Sequence, residues 1–252
     1  MKNMKFILMA IALIALMPSC KKNRENATYR IHLTDQPGEY NNVYVDIQEI
    51  KIHSNNGGWI DVTDFTPGVY DLLEFNNGMD TLLCSVDLPA GRVTQIRLIL
   101  GNSNAVVVNG ITHPLSTPSG QSSGLKLNVQ HELVAGNSYD IWLDFDAAKS
   151  VVANGNGGYL LKPVIRVFTD LTNGKIKGYV TPMFAAPVVY AIQGQDTLAS
   201  IPNSDGFFMI CGLSGVYDIH IIPATSAYSN VYLNNVQTQF GVITDLGIIT
   251  IP

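Results

Sequence analysis

The chain has 252 residues, a formal charge of −5, 46% apolar residues and only 14% charged ones. With 22 glycines, that balance suits an all-β protein rich in turns and argues against a helical or disordered one. No basic stripe is present to neutralise phosphates, which excludes nucleic acid as a partner, and the length allows one or two domains with full cores.

Lys2 and Lys5 open the chain, residues 6–17 form an unbroken apolar run, and Pro18-Ser19-Cys20 closes it. This is the anatomy of a bacterial lipoprotein signal, in which cleavage leaves Cys20 first and its sulfur takes diacylglycerol. Two or three acyl chains together make a stable anchor. The run is too short to cross a bilayer, which needs about 20 apolar residues. Ordinary secretion stays open as an alternative, because Met17 and Pro18 depart from the commonest pattern. Lys21 and Lys22 are of a kind frequent after the cysteine in lipoproteins of Bacteroidetes-like bacteria, and the segment lacks the acidic run of surface-exported ones. The expectation is a signal peptide at 1–19, a lipid-anchored tether at 20–28 and an outer-membrane envelope location. The membrane is then a partner through the lipid, and the exposed face stays open between periplasm and surface.

From residue 29 onward the apolar period is two, the signature of half-buried strands. Tyr29, Ile31 and Leu33 alternate with Arg30 and His32. Val43, Val45 and Ile47 share one parity, and Ile50 and Ile52 take the other, so a β-bulge is predicted near Gln48-Glu49. Residues 59–63, 93–100, 125–133 and 139–145 continue as strands, and Asn/Gly/Pro clusters supply the turns. Short helices are predicted at 70–74 and 147–152. Cys84 and Cys211 fall in separate domains among apolar neighbours, and read as two buried thiols.

Near Thr172-Asn173-Gly174 the chain restarts with shorter strands at 188–193, 197–201, 207–210, 216–222, 231–233 and 246–251. Closely spaced strands without intervening helices make a small β-sandwich. Gly174-Lys-Ile-Lys-Gly178, the run 204–213 (Ser-Asp-Gly-Phe-Phe-Met-Ile-Cys-Gly-Leu) and Gly215-Val-Tyr217 resemble the carboxypeptidase-regulatory-like, transthyretin-like domain. That resemblance implies an accessory module; Ser214-Gly215 departs from the family's usual Pro-Ala-Gly. In the first domain Leu33-Thr-Asp-Gln-Pro-Gly38, Val43-Tyr-Val-Asp-Ile47, Leu88-Pro-Ala-Gly91, residues 117–127 and Leu143-Asp-Phe-Asp-Ala147 resemble the domain-of-unknown-function 4382 family of bacterial lipoproteins. This implies an envelope β-domain without established catalytic residues. The expected architecture is therefore all-β, two tandem β-sandwich domains at 29–170 and 174–252, the second transthyretin-like.

Chemistry is sparse. Gly120-Gln-Ser122-Ser-Gly124 matches the written form of a hydrolase nucleophile elbow, but that elbow needs a strand-to-helix turn in an α/β sheet, and here a strand pattern follows it. No enzyme and no cofactor are expected. His32, His53, His113, His131 and His220 are scattered without metal-ligand spacing. Asp144 and Asp146 share a strand face with Asp140 and are weak candidates for a cation; solvation, or Asp146 capping the helix that follows, is the simpler role. Trp142, Trp59 and Tyr159, with Tyr70, are candidates for a ligand-stacking platform; Trp142 lies on the polar parity of its strand. The function these features lead to is a non-catalytic binding or structural module of the envelope. The alternatives are a carbohydrate-binding accessory lipoprotein and a pilin- or adhesin-like assembly subunit, so a glycan or an envelope protein is the expected partner class.

Overall fold

The computed structural model describes residues 25–117 and 124–252. The signal segment, Cys20 and Ser122 lie outside the described residues.

The first sandwich contains β1 (Asn26–Gln36), β2 (Asn42–Ser54), β3 (Gly58–Asp61), β4 (Gly68–Asp71), β5 (Thr81–Pro89), β6 (Gly91–Leu100) and β7 (Ala105–Val108). It continues with β8 (Ile111–Ser116), β9 (Leu125–Leu133), β10 (Ser138–Asp146), α1 (Ala147–Ser150), β11 (Val151–Ala153), β12 (Tyr159–Leu161) and β13 (Ile165–Thr169). The small sheet has the order β13-β10-β1-β5, and the large sheet β11-β12-β8-β7-β2-β6-β9, with β3 and β4 also pairing β2. The apolar parity of each strand points between the sheets: Tyr29, Ile31 and Leu33 of β1 meet Val43, Val45, Ile47, Ile50 and Ile52 of β2 in one fully buried core. Burying each such aliphatic side chain stabilises the fold by about 1.5–3 kcal/mol. The parity switch in β2 is a bulge, since Ile47 faces Leu100 of β6 and Glu49 faces Ile99, leaving Gln48 as the extra residue.

The second sandwich contains β14 (Gly174–Thr181), β15 (Val188–Gln193), β16 (Asp196–Ser200), β17 (Phe207–Leu213), β18 (Gly215–Ile222), β19 (Val231–Thr238) and β20 (Ile243–Thr250). They form sheets β17-β14-β20 and β16-β15-β18-β19 around a separate core that includes Ile176, Phe208, Ile219 and Ile221. The chain is thus all-β in two tandem sandwiches.

Several sequence expectations need correction. The tether predicted to residue 28 is shorter, because β1 starts at Asn26 and Ala27 is buried opposite Leu88 of β5. The helix expected at 70–74 is instead the end of β4 and a 3-10 turn, Leu72–Phe75, whose first turn is capped by Asp71 accepting from Leu73 N. The helix expected at 147–152 stops at Ser150, where the chain turns into β11. Cys84 is buried and Cys211 only half-buried, and both are free thiols. Strands β5, β7, β8 and β11 to β13 were not predicted; β7 and β8 join through Asn109-Gly110, both with positive φ, a tight hairpin turn.

Candidate functional site

Parallel pairing of β1 with β10 and antiparallel pairing of β10 with β13 set three rows across the outer face of the small sheet. The first row joins Arg30 to Asp140, the second His32 to Trp142 and Phe168, and the third Thr34 to Asp144 and Arg166. Register thus dictates the contacts. Arg30 grips Asp140 with Nε at 2.7 Å and Nη2 at 2.5 Å. His32 stacks on Trp142 at 5.0 Å between ring centres, and Trp142 stacks on Phe168 at 5.5 Å. Both faces of the indole are covered, and its Nε1 donates to Asp80 at 2.9 Å.

His32 sits between two carboxylates, with Nδ1 3.2 Å from Asp80 and Nε2 2.8 Å from Asp140. Partial burial works against its charge, but the two carboxylates outweigh it and hold its pKa above the ordinary value. Asp80 and Asp140 are held below the usual carboxylate range, Asp80 chiefly by His32 and Asp140 chiefly by Arg30.

The third row reaches the second sandwich. Asp144, with its side chain 4% exposed, accepts from Arg166 and from Gln36 Nε2 at 2.9 Å. Arg166 also donates to the carbonyls of Gly212 (2.7 Å) and Cys211 (2.9 Å). Phe168 packs on Gly212, whose φ is +68° and where a Cβ would lie 2.5 Å from the ring. Asn77 donates to Ile201 O and its Oδ1 accepts from Met209 N; Ala199 N donates to Gln36 Oε1, and Lys149 Nζ to Thr197 O. The edges of β16 and β17 that face the first sandwich are therefore capped by its side chains.

The carboxylates singled out from the sequence are structural in their contacts. Asp146 caps α1, accepting from Lys149 N at 2.9 Å, and pairs with Lys149 Nζ at 2.8 Å. Asp35 Oδ1 accepts from Ala147 N, while Oδ2 is buried without a partner among the described residues. Burial first, and then Asp144, push the Asp35 carboxyl well above its ordinary pKa. No group of three His, Cys, Asp or Glu is placed to hold a metal among the described residues.

The aromatic candidates are not brought together. Trp59, 45% exposed, has the Arg97 guanidinium 4.1 Å over its ring and His53 at its edge. Tyr159 lies beside His113 on a separate shallow cleft, and Tyr70 donates to Thr66 O.

A different site emerges where β9, the edge of the large sheet, faces β13, the edge of the small one. An open groove of about 750 Å³ lies there, lined by His131, Tyr139, Val167, Asp170 and Leu171 among others. Behind this lining, the hydroxyl of the fully buried Tyr29 lies 2.6 Å from His131 Nδ1 and forms a dyad with it. Burial lowers the His131 pKa and raises that of Tyr29, so both are neutral. If the buried phenol donates its single proton here, Nδ1 is the acceptor and the imidazole N–H sits on Nε2. The sequence carried the signal for this residue: His131 occupies the inward parity of Leu125, Leu127, Val129 and Leu133.

No curated protein matches this chain. Among solved structures, the Bacillus anthracis TIE protein aligns at 8% identity with a TM-score of 0.23, covering 90% of this chain and 34% of that one. The chain thus spans about a third of that protein's length. A mutant of the shaft pilin spaA from Lactobacillus rhamnosus GG aligns at 8% identity with a TM-score of 0.24, covering 90% of this chain and 97% of that one. The model of a domain of unknown function, DUF4382, matches residues 26–163, more than half of the sequence, and the chain belongs to that family.

Proposed function

We propose that this protein is a non-catalytic, lipid-anchored component of the cell envelope, with Cys20 as the lipidated residue and the outer membrane as its location. Its two sandwiches act together as one binding or structural module. The observation that carries this reading is the sealed joint: side chains from four places in the first sandwich, Gln36, Asn77, Lys149 and Arg166, cap main-chain groups of β16, β17 and the segment just after β16. A joint of this kind holds a module at a fixed attitude on its tether. Residues 174–252 are assigned to the carboxypeptidase-regulatory-like, transthyretin-like class on the motifs at 174–178 and 204–217. Labelling cells with a palmitate analogue tests the anchor: the wild type takes label and Cys20→Ala does not, and equal labelling of both sinks the assignment.

One observation favours a second reading, an assembly subunit. On the side of the second sandwich away from β17, no strand pairs with the outer edge of β20 among the described residues, and Ile248 there is 75% exposed next to Tyr179. Sedimentation of the full chain and of Ile248→Lys separates the readings, since concentration-dependent association abolished by the lysine is expected of the assembly subunit alone.

A further inference from the structure

We infer that the groove between β9 and β13 is a binding site for a neutral, polyhydroxylated ligand, a short stretch of glycan. This rests on the reading of the chain as a binding module and names what the module holds. The charge balance decides the class. Three carboxylates border the groove, Glu132, Asp140 and Asp170, which disfavours an anion. Two of them are already neutralised, Glu132 by Arg92 and Asp140 by Arg30, so little uncompensated charge is left to recruit a cation.

A purely apolar ligand fails for another reason. It would cover the uncharged polar side chains that line the groove without offering them partners, and polar groups left unpaired in this way weaken binding. What remains plentiful is uncharged polarity: Gln130, Asn137, Ser138, Thr169 and Thr172 supply amides and hydroxyls that both donate and accept. Sugar hydroxyls do the same. The C–H face of a sugar ring is met by Leu171, 76% exposed at the rim, and by Val167 and the Tyr139 ring.

The test uses the full chain with two probe sets: neutral oligosaccharides (cello-, xylo-, manno- and malto-hexaoses) followed by saturation-transfer NMR, and a lipid-free neutral O-polysaccharide followed by affinity electrophoresis. Binding in the first arm points to a free polysaccharide and in the second to an envelope glycan; either supports the ligand class, and its loss in the groove variants supports the site. Leu171→Asp, on an exposed rim position, and the pair Tyr29→Phe/His131→Leu, which removes the dyad without stranding a hydroxyl, are expected to weaken binding at least about tenfold, the equivalent of one good contact. Trp59→Ala, on another cleft, leaves it unchanged. Glycan binding that ignores both groove variants overturns the site while leaving the binding-module reading intact. No glycan binding in either arm overturns the ligand class, and groove-dependent capture of an extended peptide library in its place does the same. Failure of Cys20 labelling bears on the anchor alone.

Discussion

Replacing Arg166 by leucine removes the one cation that, among the described residues, pairs with the buried Asp144 carboxylate. The guanidinium approaches Asp144 Oδ2 with Nη2 at 2.5 Å and Nε at 3.1 Å, and holds two carbonyls of the second sandwich. Burial already pushes the Asp144 pKa above its ordinary value, in spite of Arg166. Breaking a buried pair from one side is destabilising by about 3–5 kcal/mol, because a charge is stranded. Proton uptake sets a ceiling: neutralising an aspartate of ordinary pKa near 3.9 at pH 7 costs about 4 kcal/mol, at about 1.4 kcal/mol per unit. The stranded charge therefore costs about 3–4 kcal/mol at pH 7, and this part of the loss shrinks toward about 1.5 kcal/mol at pH 5, where the ceiling drops. The sign is that of a raised carboxylate: its contribution is most favourable at low pH and declines as pH rises through the unfolded value. Urea unfolding at the two pH values measures this, and Asp144→Leu/Arg166→Leu recovers much of the loss by removing the stranded charge. A loss below about 1 kcal/mol at pH 7, or one independent of pH, refutes the argument.

Three further outcomes follow from the geometry. In NMR titrations His32 titrates above the ordinary 6.5 and His131 below it, and Asp140→Asn lowers the His32 midpoint. Stability supplied by the His32 charge is complete below 6.5 and fades as pH rises through its higher folded value, so a midpoint at or under 6.5 contradicts the two-carboxylate arrangement. Asp35→Asn stabilises the protein at pH 7, because the carboxyl is buried with Oδ2 unpartnered, and a lowered melting temperature would show that its charge is needed. Gly212→Ala loses about 1–3 kcal/mol through its left-handed φ and the Phe168 ring, which chemical denaturation reads directly.

The sequence alone settled the local physics. Period-two alternation laid out most long strands, the parity switch at Ile47 and Ile50 located the Gln48 bulge, and Asp146 before Ala147 marked a helix cap. It also divided the chain at Thr172-Asn173-Gly174, where β14 begins. Short strands escaped because three to six residues carry too little pattern; β13 and the β7–β8 pair are examples, although Asn109-Gly110 was a readable turn. Alternation tells which face a side chain takes and nothing about its neighbour on the next strand. That is why the polar parity of Trp142 does not say what its ring meets: only the parallel pairing of β1 with β10 lays His32 on one of its faces, and only β13 lays Phe168 on the other. The groove has the same origin. His131 was visible as an inward histidine, but its partner Tyr29 lies 102 residues away. The cleft itself exists because two strand edges from different sheets stand side by side, an arrangement that long-range pairing decides and local sequence does not.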